Sequence, residues 1–118
     1  MKKAVLFVTL SAIFILALGT LSAQASTVLE GFEISPNPMD KFTVITLSFN
    51  TPADIGVNIE NRQGQVIKNL YWGPADEYIQ IIWNRYDDNG QYTPSGEYLV
   101  VVSYQSRYTS TKKTVILK

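Results

Sequence analysis

The sequence contains no cysteine and no histidine. Zinc, copper and iron sites are built mainly from these two side chains, and most serine or cysteine nucleophiles depend on a histidine base. Only carboxylate, lysine or tyrosine chemistry remains, so we predict that the protein is not an enzyme and uses no metal or other cofactor. Without cysteine no disulfide can form, and the stability of the fold must come from packing.

An excess of positive charge is also missing. The chain has ten basic and ten acidic residues, and without Lys2 and Lys3 eight basic residues remain against ten acidic ones, a net charge of about −2. Nucleic-acid binding relies on a basic surface that displaces counterions from the phosphates. This charge balance argues against a nucleic acid as the partner.

The N-terminal segment is typical of a secretory signal peptide. A basic start precedes an apolar run over residues 4–18, and the stretch from Ala23 to Ala25 is a small-residue cleavage site. The run is short for a bilayer span, which needs about 20 apolar residues. We predict a signal peptide over residues 1–25, one domain over residues 26–118, export to the periplasm, cell surface or medium, and membrane contact only during export. An uncleaved anchor is the alternative.

No window after the signal peptide has the 3.6-residue apolar period of a helix. Apolar residues alternate with polar ones instead, as where Ile45, Leu47 and Phe49 share one face and Thr46 and Ser48 the other. This alternation predicts half-buried strands. Seven segments have this strand character: 29–34, 42–49, 54–61, 66–71, 78–83, 98–104 and 112–118.

Turn signals separate these segments. Residues 61–64 predict a hairpin turn that ends in glycine, Gly73-Pro74 predicts the end of the fourth strand, and residues 106–110 predict a turn before the last strand. Short strands at this spacing predict an all-β, seven-stranded antiparallel sandwich of the Ig-like or fibronectin-III-like type. In such sandwiches a tyrosine placed like Tyr98 bonds the backbone a few residues upstream, although a half-exposed aromatic is the alternative.

The stretch of residues 87–90, Asp-Asp-Asn-Gly, suggests either a cation loop or a turn. Aligned with a calcium loop, Arg85 takes the first ligand position and Gly96 takes the last, where Asp and Glu are required. The motif fails at both ends. We interpret the stretch as a turn in which aspartates accept backbone hydrogen bonds.

The chain has more aromatic residues than a small core can hold. Exposed rings suit a protein partner or a second copy, and one flat row of rings would suit carbohydrate. Any single tyrosine is also compatible with ordinary packing on a pleated surface. The candidate partner surface consists of Tyr71, Trp72, Tyr86 and Tyr92.

Several motifs together resemble the Ig-like domain of the flagellar hook-capping protein, a module found widely in bacterial exported proteins. They are also similar to the C-terminal sorting domains of type IX secretion cargo. The shared pattern is Pro-Asn-Pro, a hairpin with Asp-x-x-Gly, then Trp-Asp-Gly-x-Asp-x-x-Gly, Ser-Gly-x-Tyr and a basic apolar last strand, over residues 35–118. The matching positions are Pro36, Asn37, Pro38, Gly64, Trp83, Asp87, Gly90, Ser95, Gly96 and Tyr98.

Three positions depart from this pattern: Asn61 and Asn84 stand for the usual Asp, and Arg85 stands for the usual Gly. The resemblance implies a scaffold in which Asp87 and Gly90 shape a turn, Trp83 packs in the core and Ser95-Gly96 begins the sixth strand. It implies a non-enzymatic exported module that contacts proteins in the cell envelope or an extracellular assembly. A type IX sorting-type domain is the alternative, and a small carbohydrate-binding sandwich is a second alternative.

Overall fold

The computed structural model describes residues 28–104 and 110–118. These residues contain seven strands and no helix, and every strand pairing is antiparallel. The strands are β1 (Leu29–Ser35), β2 (Thr43–Phe49), β3 (Ala53–Glu60), β4 (Val66–Ala75), β5 (Tyr78–Trp83), β6 (Gly96–Tyr104) and β7 (Ser110–Leu117).

The strands form two sheets. One has the order β1-β2-β5 and the other has the order β4-β3-β6-β7. The core side chains come from both sheets, as expected when two half-buried sheets stack face to face. This is the predicted antiparallel sandwich, and the sequence-based fold class is confirmed.

Alternation along the strands decides which side chains enter the core. In β2, Ile45 and Leu47 are fully buried, whereas Thr46 and Ser48 between and beside them are partly exposed. Each buried aliphatic side chain contributes about 1.5–3 kcal/mol relative to an exposed one, which is how a chain without disulfides is stabilised. The largest fully buried side chains are Trp83, Met39, Ile45, Leu47, Ile55, Ile59, Val57, Val100, Val102 and Val115.

The predicted end of the fourth strand at Gly73-Pro74 is wrong. β4 continues through both residues to Ala75, and Pro74 lies opposite Asp54 of β3. β4 is an edge strand, so a proline whose nitrogen faces away from the ladder removes no hydrogen bond. A glycine-proline pair therefore ends a central strand more reliably than an edge strand.

Some predictions fall on residues outside the described ranges. The signal peptide, residues 1–25, is one of them, and so is most of the predicted turn at 106–110, although Ser110 already belongs to β7. Cleavage and export therefore stay predictions. Within the described ranges, no helix has the length and apolar character needed to span a bilayer.

Candidate functional site

A turn over residues 61–65, here called the Asn61 turn, joins β3 to β4. The Asn61 Oδ1 atom accepts hydrogen bonds from the backbone N–H of Gln63 at 3.0 Å and of Gln65 at 2.9 Å. The Gly64 N–H donates to the Asn61 carbonyl at 3.1 Å, and the Asn61 N–H donates to the Gln65 carbonyl at 2.9 Å. Asparagine thus supplies the acceptor for which the domains that the sequence resembles usually have aspartate.

A second turn of the same construction, the Asp87 turn, covers residues 87–91. The Asp87 Oδ1 atom accepts from the N–H groups of Asn89 and Gln91, both at 2.9 Å. The Gly90 N–H donates to the Asp87 carbonyl at 3.0 Å, and the Asp87 N–H donates to the Gln91 carbonyl at 2.9 Å. This carboxylate is occupied by backbone donors, as the turn interpretation requires, and the described residues contain no grouping of three or more potential metal ligands.

Each turn needs glycine for its backbone conformation. Gly64 has φ of 84° and Gly90 has φ of 78°, in the left-handed region. A Cβ atom at either position would meet nothing within 4 Å, so space is not the constraint. Side chains other than glycine are strained at these φ values, which accounts for glycine at the fourth position of both turns.

The Asp87 turn is docked on the outer edge of β4. The Asp88 N–H donates to the Ile67 carbonyl at 2.9 Å. The Asp88 carboxylate accepts from the Asn69 N–H at 3.1 Å and from the Asn69 Nδ2 at 3.0 Å, with the Lys68 ammonium at 3.6 Å. These contacts occupy backbone groups along the first half of β4 that would otherwise face solvent.

Arg85 departs from the glycine of the domains that the sequence resembles, and its φ of 74° lies in the left-handed region that favours glycine. Asn84, the neighbouring departure from aspartate, still provides a side-chain acceptor in the turn. Its Oδ1 accepts a hydrogen bond from the Tyr86 N–H at 3.2 Å. An arginine in a left-handed conformation is costly, so its side chain must make compensating contacts.

The Arg85 side chain is 4% exposed and joins three parts of the chain. Its donors reach only neutral or backbone oxygens, and its guanidinium lies 4.7 Å from the centroid of the Tyr92 ring. Sequence reasoning marked Arg85 as a departure and missed this role, since its acceptors are up to 45 positions away. The acceptors are the carbonyl of Thr93 at 2.9 Å, the carbonyl of Asp40 at 2.7 Å, the backbone oxygen of Lys118 at 2.9 Å and the Ser95 hydroxyl at 3.4 Å.

The Pro-Asn-Pro segment, residues 36–38, lies along the edge of β7 that faces away from β6, and both of its X–Pro peptide bonds are cis. The Asn37 Nδ2 donates to the Thr114 carbonyl at 3.0 Å, and the Asn37 Oδ1 accepts from the Ile116 N–H at 2.9 Å. Met39 continues the contact by donating to the Ile116 carbonyl at 2.7 Å. The asparagine amide thus pairs with the edge of β7 as a neighbouring strand would.

The remaining motif residues lie at the end of β5 and the start of β6. Trp83 is fully buried, and its indole Nε1 donates to the Tyr86 carbonyl at 3.0 Å. β6 begins at Gly96, directly after Ser95. The Tyr98 hydroxyl donates to the Pro94 carbonyl at 2.9 Å, which is the upstream backbone bond expected of a tyrosine at this position.

The four aromatic residues of the candidate partner surface differ in their surroundings. Trp72 is 72% exposed, and its ring lies over the backbone of Gly56 on the outer face of the four-stranded sheet. The adjacent Tyr71 packs against the core, and its hydroxyl donates to the Pro74 carbonyl. Successive residues of a strand face opposite sides, so these two rings do not share a surface.

Tyr86 and Tyr92 form a separate pair beside the Asp87 turn. Both are exposed, and their ring centroids are 5.2 Å apart in an edge-to-face arrangement. A further exposed ring, Tyr78, lies on the outer face of the opposite sheet. The described rings are thus distributed over different sides of the sandwich, which does not favour a single flat platform for carbohydrate.

No known protein family and no curated protein sequence matches the chain. Solved structures with a similar fold include two proteins of Porphyromonas gingivalis. Dimeric latent PorU from Porphyromonas gingivalis matches with a TM-score of 0.58 and 20% identity, over 73% of this chain and 9% of PorU. PorZ, an essential bacterial surface component of the type IX secretion system of the same organism, matches with a TM-score of 0.54 and 21% identity, over 79% of this chain and 12% of PorZ.

The chain thus spans about a tenth of the length of each of these proteins. At this level of identity, the similarity shows a shared fold. The resemblance to the sandwiches of type IX secretion is therefore supported at the level of the fold, and the resemblance to the hook-capping domain stays a prediction.

Proposed function

We propose that this chain is a non-enzymatic exported sandwich that acts through protein contacts in type IX secretion, as a sorting-type or surface-component domain. The proposal combines the predicted signal peptide with the fold of the described residues. An interaction module of another envelope assembly is the competing function.

One observation carries the proposal. The sandwich described here aligns over most of its length with a small part of PorZ, which is a surface component of the type IX secretion system. In PorZ the matching region is 12% of the chain, so a sandwich of this kind is there one part of a larger exported protein. A sandwich of this kind is suited to be recognised by, or attached to, the same kind of machinery.

The contacts of the motif residues indicate where recognition would occur. Asn37, Asp87 and Arg85 use their polar atoms inside the domain, on β7, within a turn and in the buried cluster at the end of β5. These residues shape the sandwich and leave few polar atoms for a partner. Recognition would therefore use the outer sheet faces and the strand edges, where groups such as the Trp72 ring are exposed.

An export experiment tests the proposal. Residues 26–118 are placed at the C-terminus of a reporter enzyme with a cleavable signal peptide, in a bacterium with a type IX system and in the same strain without a functional one. We expect the reporter on the cell surface or in the medium of the first strain and in the periplasm of the second. The reporter without the sandwich is the control.

Equal distribution of the fusion in the two strains would contradict the type IX proposal. The native chain is followed in the same strains with an antibody. If it is a stable, uncleaved surface component in both strains, the competing function in another envelope assembly is favoured.

A further inference from the structure

Three of the four outer strand edges of the sandwich are blocked. Asn37 and Met39 cover the second half of the β7 edge, and two lysines lie in its first half. The edge of β4 is covered by Asp88 in its first half and carries Pro74 in its second. Capping loops, charges and prolines are the devices by which proteins prevent an edge from pairing with another chain.

The edge of β1 is blocked by different means. Its register with β2 shifts between Leu29 and Gly31, which breaks the regular pattern of the strand. The Lys113 ammonium reaches across from the other sheet and donates to the Phe32 carbonyl at 2.6 Å. Glu33 adds a charge at the centre of the strand. A second strand cannot pair regularly along this edge.

β5 has none of these devices. Its sequence, Tyr-Ile-Gln-Ile-Ile-Trp, contains no charge, proline or glycine, and its register with β2 is continuous from Tyr78 to Trp83. Among the described residues, none bonds to its outer edge. An uncharged and largely apolar edge strand with a continuous register is the kind of edge that pairs with another strand.

The hydrogen-bond pattern identifies the backbone groups on this edge. The Phe49 N–H donates to the Glu77 carbonyl at 2.8 Å, so this pair exchanges ladder bonds. Because such pairs alternate along an antiparallel ladder, Ile79 and Ile81 also bond to β2. The N–H and C=O groups of Tyr78, Gln80 and Ile82 therefore point to the open edge.

The side chains of these three residues are exposed on the outer face of the three-stranded sheet. Tyr78 is 60% exposed and Ile82 is 66% exposed, so two large side chains are left uncovered along this edge of the sheet. Val44 of β2 lies directly beside Ile82. The open backbone groups and the exposed apolar side chains thus belong to the same three positions.

We propose that β5 pairs with β5 of a second copy of this chain, antiparallel, with the two-fold axis at Gln80. Gln80 then lies opposite Gln80 of the second copy, and Tyr78 lies opposite Ile82 in both halves of the interface. All three pairs have their backbone groups directed at each other. The result is one continuous six-stranded sheet with the order β1-β2-β5-β5-β2-β1. This inference does not depend on the proposed role in secretion.

The sequence of β5 favours a second copy as the occupant. A two-fold axis requires a self-complementary surface. Here an aromatic residue meets a β-branched one, a favourable cross-strand pair, and the two glutamine amides each carry a donor and an acceptor for the other. The proposed pairing also brings no like charges together. Glu77 lies opposite Trp83 of the second copy, and the two Glu77 side chains are about 20 Å apart along the ladder. An axis at Ile79 or Ile81 would place Gln80 opposite Tyr78 or Ile82, so the two amides would no longer meet, and it would shorten the ladder.

The interface is small. One six-residue edge buries less than the roughly 1,200 Å² at the lower end of stable protein interfaces, so we expect a weak, concentration-dependent dimer. Analytical ultracentrifugation of the chain, expressed from Met1 and purified in its exported form, measures the dissociation constant. Dimers at micromolar to millimolar concentration are expected. A chain that stays monomeric over this range would overturn the proposal.

Charge substitutions at the two-fold axis test the register. Gln80→Glu and Gln80→Lys each place like charges opposite one another, and each is expected to weaken the dimer at least tenfold. A mixture of the two variants is expected to form a mixed dimer at least as tight as the wild type. Recovery in the mixture excludes misfolding as the cause of dissociation, and absence of recovery would overturn the register.

Crosslinking gives an independent readout, because the chain has no cysteine of its own. Directly opposed residues of a hydrogen-bonded antiparallel pair have Cα atoms about 5.5 Å apart, within the range of a disulfide. Gln80→Cys is therefore expected to give a covalent dimer on oxidation. Trp72→Cys, exposed on the other sheet, is the matched control and is expected to stay largely monomeric. Equal crosslinking of the two variants would contradict the β5 interface.

Discussion

The Asn61 turn and the Asp87 turn have the same four hydrogen bonds within the turn, but they differ in their surroundings. The second residue of the Asn61 turn, Arg62, makes an ion pair with Glu97 at 2.7 Å between side chains that are 70% and 49% exposed. The second residue of the Asp87 turn, Asp88, binds the backbone of β4. The same local sequence pattern therefore builds a hairpin with only an exposed ion pair in one place and a loop docked on a strand in the other.

This difference shows that the local pattern and its use in the fold are separate properties. An Asx side chain followed by glycine at the fourth position is enough to form the turn. Whether the turn stabilises the rest of the domain depends on what the adjacent residues contact. The substitutions below separate the two contributions, and each is measured by urea unfolding.

The largest effect is expected at Arg85, which connects the docked turn to distant parts of the chain. Arg85→Ala leaves one buried and two partly buried backbone oxygens without these donors and keeps a left-handed backbone, so we expect a loss of about 3–5 kcal/mol in the free energy of unfolding. Arg85→Gly loses the same bonds but relieves the strain, and should be about 1 kcal/mol more stable than the alanine variant. Equal stability of the two variants would show that the backbone at this position is not strained.

The first residues of the turns allow a direct comparison. Asp87→Ala is expected to cost about 2 kcal/mol and Asn61→Ala about 1 kcal/mol, because only the Asp87 turn positions a loop that is docked on β4. Asp87→Asn and Asn61→Asp keep the Oδ1 acceptor and serve as controls with little effect. If the two alanine variants are equally destabilised, the docking contributes nothing and the comparison fails.

The second residues test the docking itself. Asp88→Ala removes a carboxylate that accepts two hydrogen bonds from Asn69, with an expected cost of about 1 kcal/mol. Arg62→Ala removes only an exposed ion pair and is expected to cost a few tenths of a kcal/mol, or roughly nothing in high salt. Hydrogen exchange at the Asn69 amide should accelerate in the first variant and stay unchanged in the second.

The smallest expected difference is between the two glycines. Gly64→Ala and Gly90→Ala each introduce a Cβ into open space at a left-handed position, so both should cost about 0.5–1 kcal/mol. Equal losses would confirm that the strain is local to each turn. A markedly larger loss at Gly90 would mean that the docked loop is also disturbed.

Strand character was predictable because it depends on local alternation. Residues such as Ile45 and Leu47 alternate with polar neighbours, and this pattern predicted the seven strands and the direction of their side chains. The turn at 61–64 was predictable from its turn residues, and the burial of Trp83 was predictable from the resemblance to known domains. The continuation of β4 past Gly73 was missed, because the sequence does not show which strand lies at an edge.

The tertiary contacts were not predictable from local patterns. The Asn37 amide bonds to residues 77 and 79 positions away, and the Arg85 guanidinium bonds to Asp40 across 45 positions. A single sequence contains no signal for such pairs. The one available indication was the departure at Arg85. An arginine at a position that favours glycine must be compensated by contacts elsewhere.

The pairing of the Pro-Asn-Pro segment with β7 has a mechanical consequence. Met39 and Leu117 form a parallel bridge, so the start of the domain and its last strand run side by side in the same direction. A force that pulls the two ends of the domain apart acts along these strands and loads the bonds of Asn37 and Met39 together, in shear. A domain held in this way resists extension between its ends more strongly than one whose terminal strands would separate one bond at a time.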